Sequence, residues 1–116
     1  MIVPCVPRFA RVARAAAAAC GVLGGLAREE LEDLRLLVDE VFVVILELGA
    51  TAVELVVTPA NGEVDVSMTA VGGPGPSRGR ADVTFVRMLA DVIGWDVRDE
   101  LHAPRPAFGI TLVAAR

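Results

Sequence analysis

Residues 29–49, EELEDLRLLVDEVFVVILELG, decide the fold of this chain. Five apolar residues recur in it at steps of three and four, which places them on one face of a helix. These residues are Leu34, Val38, Val41, Ile45 and Leu48. The acids at the start suit the positive end of a helix dipole, and the closing glycine is a typical helix stop. Residues 41–46 alone also fit a buried strand, but the acidic start and the longer spacing favour a helix throughout.

A neighbouring face of this helix carries Glu40, Val44 and Glu47. Val43, Val44 and Leu46 lie off the main apolar face, so the helix is apolar nearly all round. Such a helix has to be covered by something in addition to the sheet.

The bulk composition excludes several classes of function. A chain of 116 residues forms one domain, residues 1–116, and its many apolar and few aromatic residues predict a core of Ala, Val and Leu. The net charge of −4 argues against a general nucleic-acid binder. All 11 basic residues are arginine, which excludes any step that needs a lysine amine.

Cysteine usage and the amino-terminal region predict a cytoplasmic protein. Cys5, Cys20 and the single histidine do not make a zinc site of usual composition, so we expect two thiols in a reducing compartment. Residues 15–27 follow three arginines and loosely resemble an export signal, which leaves export as the alternative. These residues are too few for a membrane span, and their alanine and glycine content makes them less apolar than one.

The first third of the chain predicts an edge strand or an irregular lead-in at residues 1–6 and a first helix at residues 8–20. Arg8, Arg11 and Arg14 lie on the wetter side of that helix. Gly21, Gly24 and Gly25 are expected to end it.

Residues 51–58 and 63–70 predict a hairpin around Asn61-Gly62, a pair that favours tight turns. The second strand alternates, with Val64, Val66 and Met68 pointing inward.

Residues 71–80 are a glycine- and proline-rich loop with two arginines. Asp82 is expected to cap a third helix, which ends at Gly94. The apolar stripe of this helix is Val86, Leu89, Ala90 and Ile93. Two more strands follow at residues 95–101 and 107–114, joined by a loop that contains a solvated His102.

The predicted order is β-α-α-β-β-α-β-β without internal repeats. It indicates an α+β fold, a two-layer α/β sandwich with the helices on one face of a mixed sheet.

This order, and the phrase LRLLVDE at residues 34–40, resemble the RsbW/SpoIIAB anti-sigma factors. These are small serine-protein kinases with the GHKL (Bergerat, histidine-kinase-like ATPase) fold. Residues 9–12 look like the start of that family's first helix, residues 73–75 like its glycine box, and residues 108–112 like its last strand. The resemblance covers nearly the whole chain.

The resemblance implies a nucleotide site with Glu40 at the catalytic general-base position. The implied nucleotide-binding residues are Glu40, Gly73, Gly75, Gly109 and Thr111. Three family positions differ: Val44 replaces the asparagine that holds magnesium, Val71 stands at the adenine-binding aspartate, and Leu48 replaces a histidine. Valine offers no oxygen to magnesium. Each lost hydrogen bond to a charged group costs roughly 1.5–3 kcal/mol, so nucleotide binding weakens by about two to four orders of magnitude if the effects add.

Several residues keep a second interpretation. Glu40 is either a vestigial base or a surface acid, and residues 71–80 either cradle a phosphate or form a flexible surface loop. The covering of the long helix is either the first helix or side chains that close a former nucleotide cleft. Arg8, Arg11 and Arg14 form either a solvated face or the surface where, by the resemblance, helix one meets a protein partner.

The resemblance implies an anti-sigma regulatory factor that sequesters a sigma factor and is released by an antagonist protein, by partner switching without efficient ATP use. It also implies a homodimer, with no direct nucleic-acid contact and no membrane partner. We expect no cofactor and no bound metal. One alternative is an active ATP- and magnesium-dependent serine-protein kinase that phosphorylates the antagonist. Another is a non-catalytic GHKL-fold module with a different partner.

Overall fold

The computed structural model of the chain describes residues 1–60, 63–73, 83–102 and 107–114. It contains helices and one antiparallel sheet. The strands are β1 (Ile2–Pro4), β2 (Ala52–Ala60), β3 (Glu63–Val71), β4 (Trp95–His102) and β5 (Ala107–Ala114). The helices are α1 (Ala10–Leu23), preceded by a 3-10 turn at Pro7–Phe9, then α2 (Arg28–Glu47) and α3 (Thr84–Ile93).

The sheet has the order β1-β2-β3-β5-β4, and each strand runs antiparallel to its neighbours. The prediction of a mixed sheet is therefore wrong. Helices α1 and α2 lie between β1 and β2 in the chain and run in opposite directions. The chain therefore enters β2 in the direction opposite to that of β1. The single helix α3 leaves β3 and β4 running the same way, but β5 lies between them and pairs with both.

The hairpin of β2 and β3 confirms the predicted alternation. Val64, Val66 and Met68 are fully buried under the helices, while Asp65 faces solvent. Both strands extend slightly beyond the predicted ends, and Ala60 pairs with Glu63 across a two-residue link. The Asn61-Gly62 turn itself lies outside the described residues.

Helix α2 spans almost the whole predicted stretch, so the strand alternative for residues 41–46 is wrong. The backbone N–H of Ala27 donates to Oε1 of Glu30 at 2.8 Å, which satisfies a group at the start of the helix. Gly49 ends it with a φ of 75°. The fully buried side chains on α2 are Leu34, Leu37, Val38, Val41, Phe42 and Ile45. Leu48, the last residue of the predicted face, is half-buried.

Helix α1 is longer than predicted and contains Gly21, which was expected to end it. A Cβ at this glycine would lie 2.7 Å from Cδ2 of Leu31 on α2. The missing side chain thus lets the two helices approach closely. The chain turns only after Leu23, where Gly24 caps the helix and Gly25 takes a φ of 83°.

Helix α3 buries Val86 and Ala90 and ends at Gly94 in the left-handed conformation, as predicted. Leu89 and Ile93 are half-buried, and Asp82 lies outside the described residues. His102 is the last residue of β4 and pairs with Ala107, so its predicted placement in the loop between the last two strands is corrected. No helix in the described part of the chain combines the length and apolar character that a membrane crossing requires.

Candidate functional site

An open groove of about 430 Å³ lies between the start of α1 and the second half of α2. The two helices run antiparallel, with Arg14 beside Asp39 and Gly21 beside Leu31, so the start of α1 lies against the later turns of α2. Its lining residues are Pro7, Arg8, Ala10, Arg11, Arg14, Asp39, Phe42, Val43 and Leu46. All three arginines that the sequence predicts for partner binding therefore border one groove.

The three arginines are not equivalent. Arg14 donates from Nη1 to Oδ1 of Asp39 at 2.8 Å, joining α1 to α2. Both side chains remain more than one-third exposed, so solvent screens the pair and it stabilises the fold by less than about 1 kcal/mol. Arg8 and Arg11 are exposed and form no ion pair with any residue that the structure describes. Arg8 lies over the ring of Phe9, with Cζ 5.6 Å from the ring centroid.

The floor of the groove is apolar. Phe42 is fully buried and belongs to the core, Leu46 is half-buried, and Val43 remains 44% exposed. Guanidinium groups beside apolar surface suit a ligand that carries a carboxylate next to an apolar side chain. The groove thus combines exposed guanidinium groups with an apolar floor.

The opposite flank of α2 carries the positions that the resemblance assigns to catalysis. Val44 is 8% exposed and Glu40 is half-buried, whereas Glu47 faces solvent. Val44 lies roughly 160° around the helix from Phe42, so α1, which covers Phe42, does not cover Val44. Helix α1 packs against α2, as one of the two predicted coverings requires, whereas closure of a former nucleotide cleft by side chains stays a prediction.

The first glycine of the predicted glycine box is fixed against the end of α2. Gly73 has a φ of 74°, and a Cβ there would overlap the carbonyl oxygen of Gly49. The carbonyl of Val71, which is itself partly exposed, accepts hydrogen bonds from the N–H and the Oγ1 of Thr51, both at 3.0 Å. Glu40 precedes Gly49 by nine residues, about 14 Å along the helix axis. Glu40 and Gly73 are thus well separated along the axis of α2.

The remaining predicted nucleotide residues are less fully defined. Gly109 and Thr111 lie on β5, opposite Thr69 and Ser67 of β3. Gly75, and the rest of residues 74–82, lie outside the described residues.

No other chemical centre emerges from the described residues. They contain no group of three or more His, Cys, Asp or Glu side chains that could hold a metal ion. Cys5 and Cys20 are not joined to each other, and burial raises the pKa of the Cys5 thiol. A thiol held protonated is a poor nucleophile.

Six of the nine lining residues were not predicted as site residues, and four of these six lie on α2: Asp39, Phe42, Val43 and Leu46. They are spaced i, i+3, i+4, i+7, so they form a second stripe beside the main apolar face. That spacing, with an acid at its start, is the signal that could have identified them.

Comparison of the chain with models of known protein families finds no match, and comparison with curated proteins finds none either.

Proposed function

We propose that the chain is a cytoplasmic anti-sigma regulatory factor of the RsbW type, with the GHKL fold. It sequesters a sigma factor and releases it when an antagonist protein competes for an overlapping surface. Competition by mass action needs no phosphoryl transfer. The observation that carries this proposal is the groove in which exposed Arg8 and Arg11 stand over an apolar floor.

The electrostatics of the groove support a protein partner. The chain has a net charge of −4, yet three of its 11 basic residues border this one groove. Arg14 is neutralised by Asp39, and the two remaining guanidinium groups attract an acidic side chain. A carboxylate bound by arginine gives direction to the contact, and burial of an apolar neighbour gives affinity.

The flank of α2 supports function without efficient ATP use. Val44 fills its position with a side chain that offers no ligand to magnesium, and Val71 offers no carboxylate to an adenine amino group. In this proposal, the flank of α2 that carries Val44 is therefore part of the surface of the protein and takes no part in catalysis.

The test is binding of the purified chain to each sigma factor of its source organism, measured by calorimetry. Arg11→Glu is expected to weaken binding by at least about tenfold, because it replaces attraction to a carboxylate by repulsion. Arg35→Glu is the matched control, since Arg35 is an exposed arginine on α2 outside the groove. Unchanged binding by Arg11→Glu would place the contact elsewhere.

The second candidate function is the active serine-protein kinase. The observation in its favour is Glu40, half-buried on a helix whose far end contacts Gly73. Titration with Mg-ATP tests it: we expect no heat and no thermal shift at millimolar nucleotide. Micromolar binding, with phosphorylation of an antagonist that disappears in Glu40→Ala, would make the kinase the correct function. Absence of binding to any sigma factor would instead favour an interaction module with another partner.

A further inference from the structure

The strand β4 forms one edge of the sheet, and its outer side carries unpaired backbone groups. Within the part of the chain that the structure describes, β4 pairs with β5 alone. Its register runs through eight residues, from Trp95 to His102, without a bulge or a proline. The opposite edge strand, β1, has only three residues and contains Pro4. Short length and proline are common protections of a sheet edge, so β4 is the edge that can accept a further strand.

A second groove, which we call the edge groove, lies between α3 and the start of β4 and has a volume of about 450 Å³. It is bordered by Arg87 and Asp91, which lie one turn apart on the flank of α3 opposite to the half-buried Leu89. Helix α2 packs against α3 and over β3 and β5, and none of its described residues borders the edge groove. The edge groove therefore lies on the outer side of α3, beside the free edge of β4.

The edge groove offers apolar surface to a strand that adds to β4. Trp95 is buried and Val97 is half-buried, whereas Met88 on α3 is 62% exposed. Successive side chains of a strand point to opposite faces of the sheet, so an added strand directs every second side chain towards α3. Backbone hydrogen bonds to β4 and burial of apolar side chains beside Met88 can then act together, as in other cases of strand addition.

The charges around the edge groove favour a basic segment. Asp91 and Asp96 border it, are exposed and form no ion pair with any residue that the structure describes. Together α3 and β4 carry four acids and two arginines. Asp96 lies on the face of β4 opposite to Trp95 and Val97, because side chains alternate along a strand. A cation on the added strand is therefore attracted to this edge and can pair with Asp96 across the two strands.

A second copy of the chain and a lipid surface fit this edge less well. Two copies of β4 would place one net-negative strand beside another, and like charges across a strand pair are destabilising. An anionic lipid surface is repelled by the same acids. The edge groove shares no lining residue with the groove between α1 and α2, so this inference does not depend on the proposed function.

From these observations we propose that β4 binds an extended segment of another protein as an additional strand at the edge of the sheet. In this segment, apolar side chains alternate with arginine or lysine. The apolar side chains enter the edge groove beside Met88, and the basic side chains lie on the opposite face of the sheet, where one pairs with Asp96. The partner is thus recognised by its backbone and by the alternation of its side chains.

Peptides with methylated backbone amides test whether the segment adds as a strand. The probe is a fluorescent peptide of about eight residues with alternating valine and arginine, and its binding to the full chain is measured by anisotropy at about 0.15 M salt. An added strand directs alternate N–H groups towards β4 and the others away from it. N-methylation of one alternate set is therefore expected to weaken binding by at least about tenfold, and that of the other set by less than about threefold. Equal effects of the two sets, or no binding at millimolar peptide, would overturn the proposal.

Charge reversal tests the assigned edge. Asp96→Arg is expected to weaken binding of the probe by at least about tenfold, because attraction becomes repulsion. Asp65→Arg is the matched control. Asp65 is also exposed, and both aspartates pair with Val113 from opposite sides of β5, so they share one face of the sheet while Asp65 lies two strands from the edge. Unchanged binding by Asp96→Arg, or equal weakening by both variants, would contradict the proposed contact.

Two further measurements examine the competing occupants. In sedimentation velocity, the probe is expected to leave the oligomeric state of the chain unchanged. A dimer that the probe dissociates would assign the edge of β4 to a second copy and overturn the proposal. Flotation with vesicles of anionic phospholipid that is lost when the probe is added would assign the edge to a membrane instead.

Discussion

Gly21 and Gly73 each allow another segment of the chain to approach closely, but side chains approach at Gly21 and backbone approaches at Gly73. At Gly21 the neighbours are side-chain ends of Leu26, Leu31 and Leu34, which can shift when a methyl group is added. At Gly73 the neighbour is the backbone of Gly49, which is fixed by the end of α2. The second position is therefore the less tolerant one, and its positive φ adds to the constraint.

Gly73→Ala is expected to destabilise the fold more than Gly94→Ala. Gly94 has a φ of 80° with no atom within 4 Å of an added Cβ, so alanine there incurs only the left-handed backbone cost of about 1–2 kcal/mol. At Gly73 displacement of the Gly49 backbone adds at least about 1 kcal/mol. Urea denaturation of both variants measures the difference in free energy of unfolding. Equal losses in the free energy of unfolding would show that the segment after β3 is not tightly packed against the end of α2.

At the scale of the element, the first turns of α2 carry several acids whose mutual repulsion the helix dipole does not fully offset. Glu29, Glu32 and Asp33 crowd its first turns, and the pKa of Asp33 is raised by burial and by these two neighbours. Because this pKa is higher in the folded than in the unfolded chain, the folded state holds the proton more strongly. The contribution of this carboxyl to stability therefore falls as the pH rises above its ordinary titration range, near pH 4.

Asp33→Asn is expected to raise the free energy of unfolding at pH 7 by about 0.2–0.5 kcal/mol, the size of one screened like-charge pair on a helix. Near pH 3, where the carboxyl is protonated in both states, the gain should vanish. Thermal unfolding at both pH values measures it, at a concentration that keeps the chain monomeric. Asp65→Asn, an exposed acid on β3, is the control. A gain that persists at pH 3 would mean that charge is not its cause.

Features set by local periodicity could be predicted from the sequence. The buried face of α2 follows from apolar spacing within one helix, and the alternation of β3 follows from spacing within one strand. Glu40 and Val44 were likewise placed together on a flank of α2, because that flank is defined by helical geometry alone.

Features that depend on two distant segments could not be predicted. Gly21 lies inside α1 because α2 crosses there, and a glycine alone is more typical of a helix end. The pair of Arg14 with Asp39 joins residues 25 positions apart, so the α2 side of the groove was missed. The antiparallel sheet follows from the position of β5, which no local pattern specifies.

At the scale of the whole molecule, β5 holds the sheet together. It forms hydrogen-bonded ladders with β3 on one side and β4 on the other, whereas β1 pairs with β2 alone. The edge strand β1 has three residues and is restricted by Pro4. Of these two strands, β5 is thus expected to contribute far more than β1 to the stability of the described fold.

A chain truncated after residue 102 is expected to lack cooperative unfolding, because β3 loses one ladder and β4 loses its only one. Deletion of residues 1–4 should leave a cooperative fold of lower stability. Far-UV circular dichroism during thermal unfolding distinguishes these outcomes. A sharp transition in the truncated chain would show that the first four strands and the helices fold without β5.

The position of β5 also has a consequence for synthesis on the ribosome. Translation delivers β3 and β4 before the strand that separates them, so the nascent chain carries two strands with unpaired inner edges until residues 107–114 emerge. Unpaired edges beside apolar side chains are prone to association with other chains. Until β5 emerges, the edges of β3 and β4 that it will occupy are therefore open to pairing with another chain.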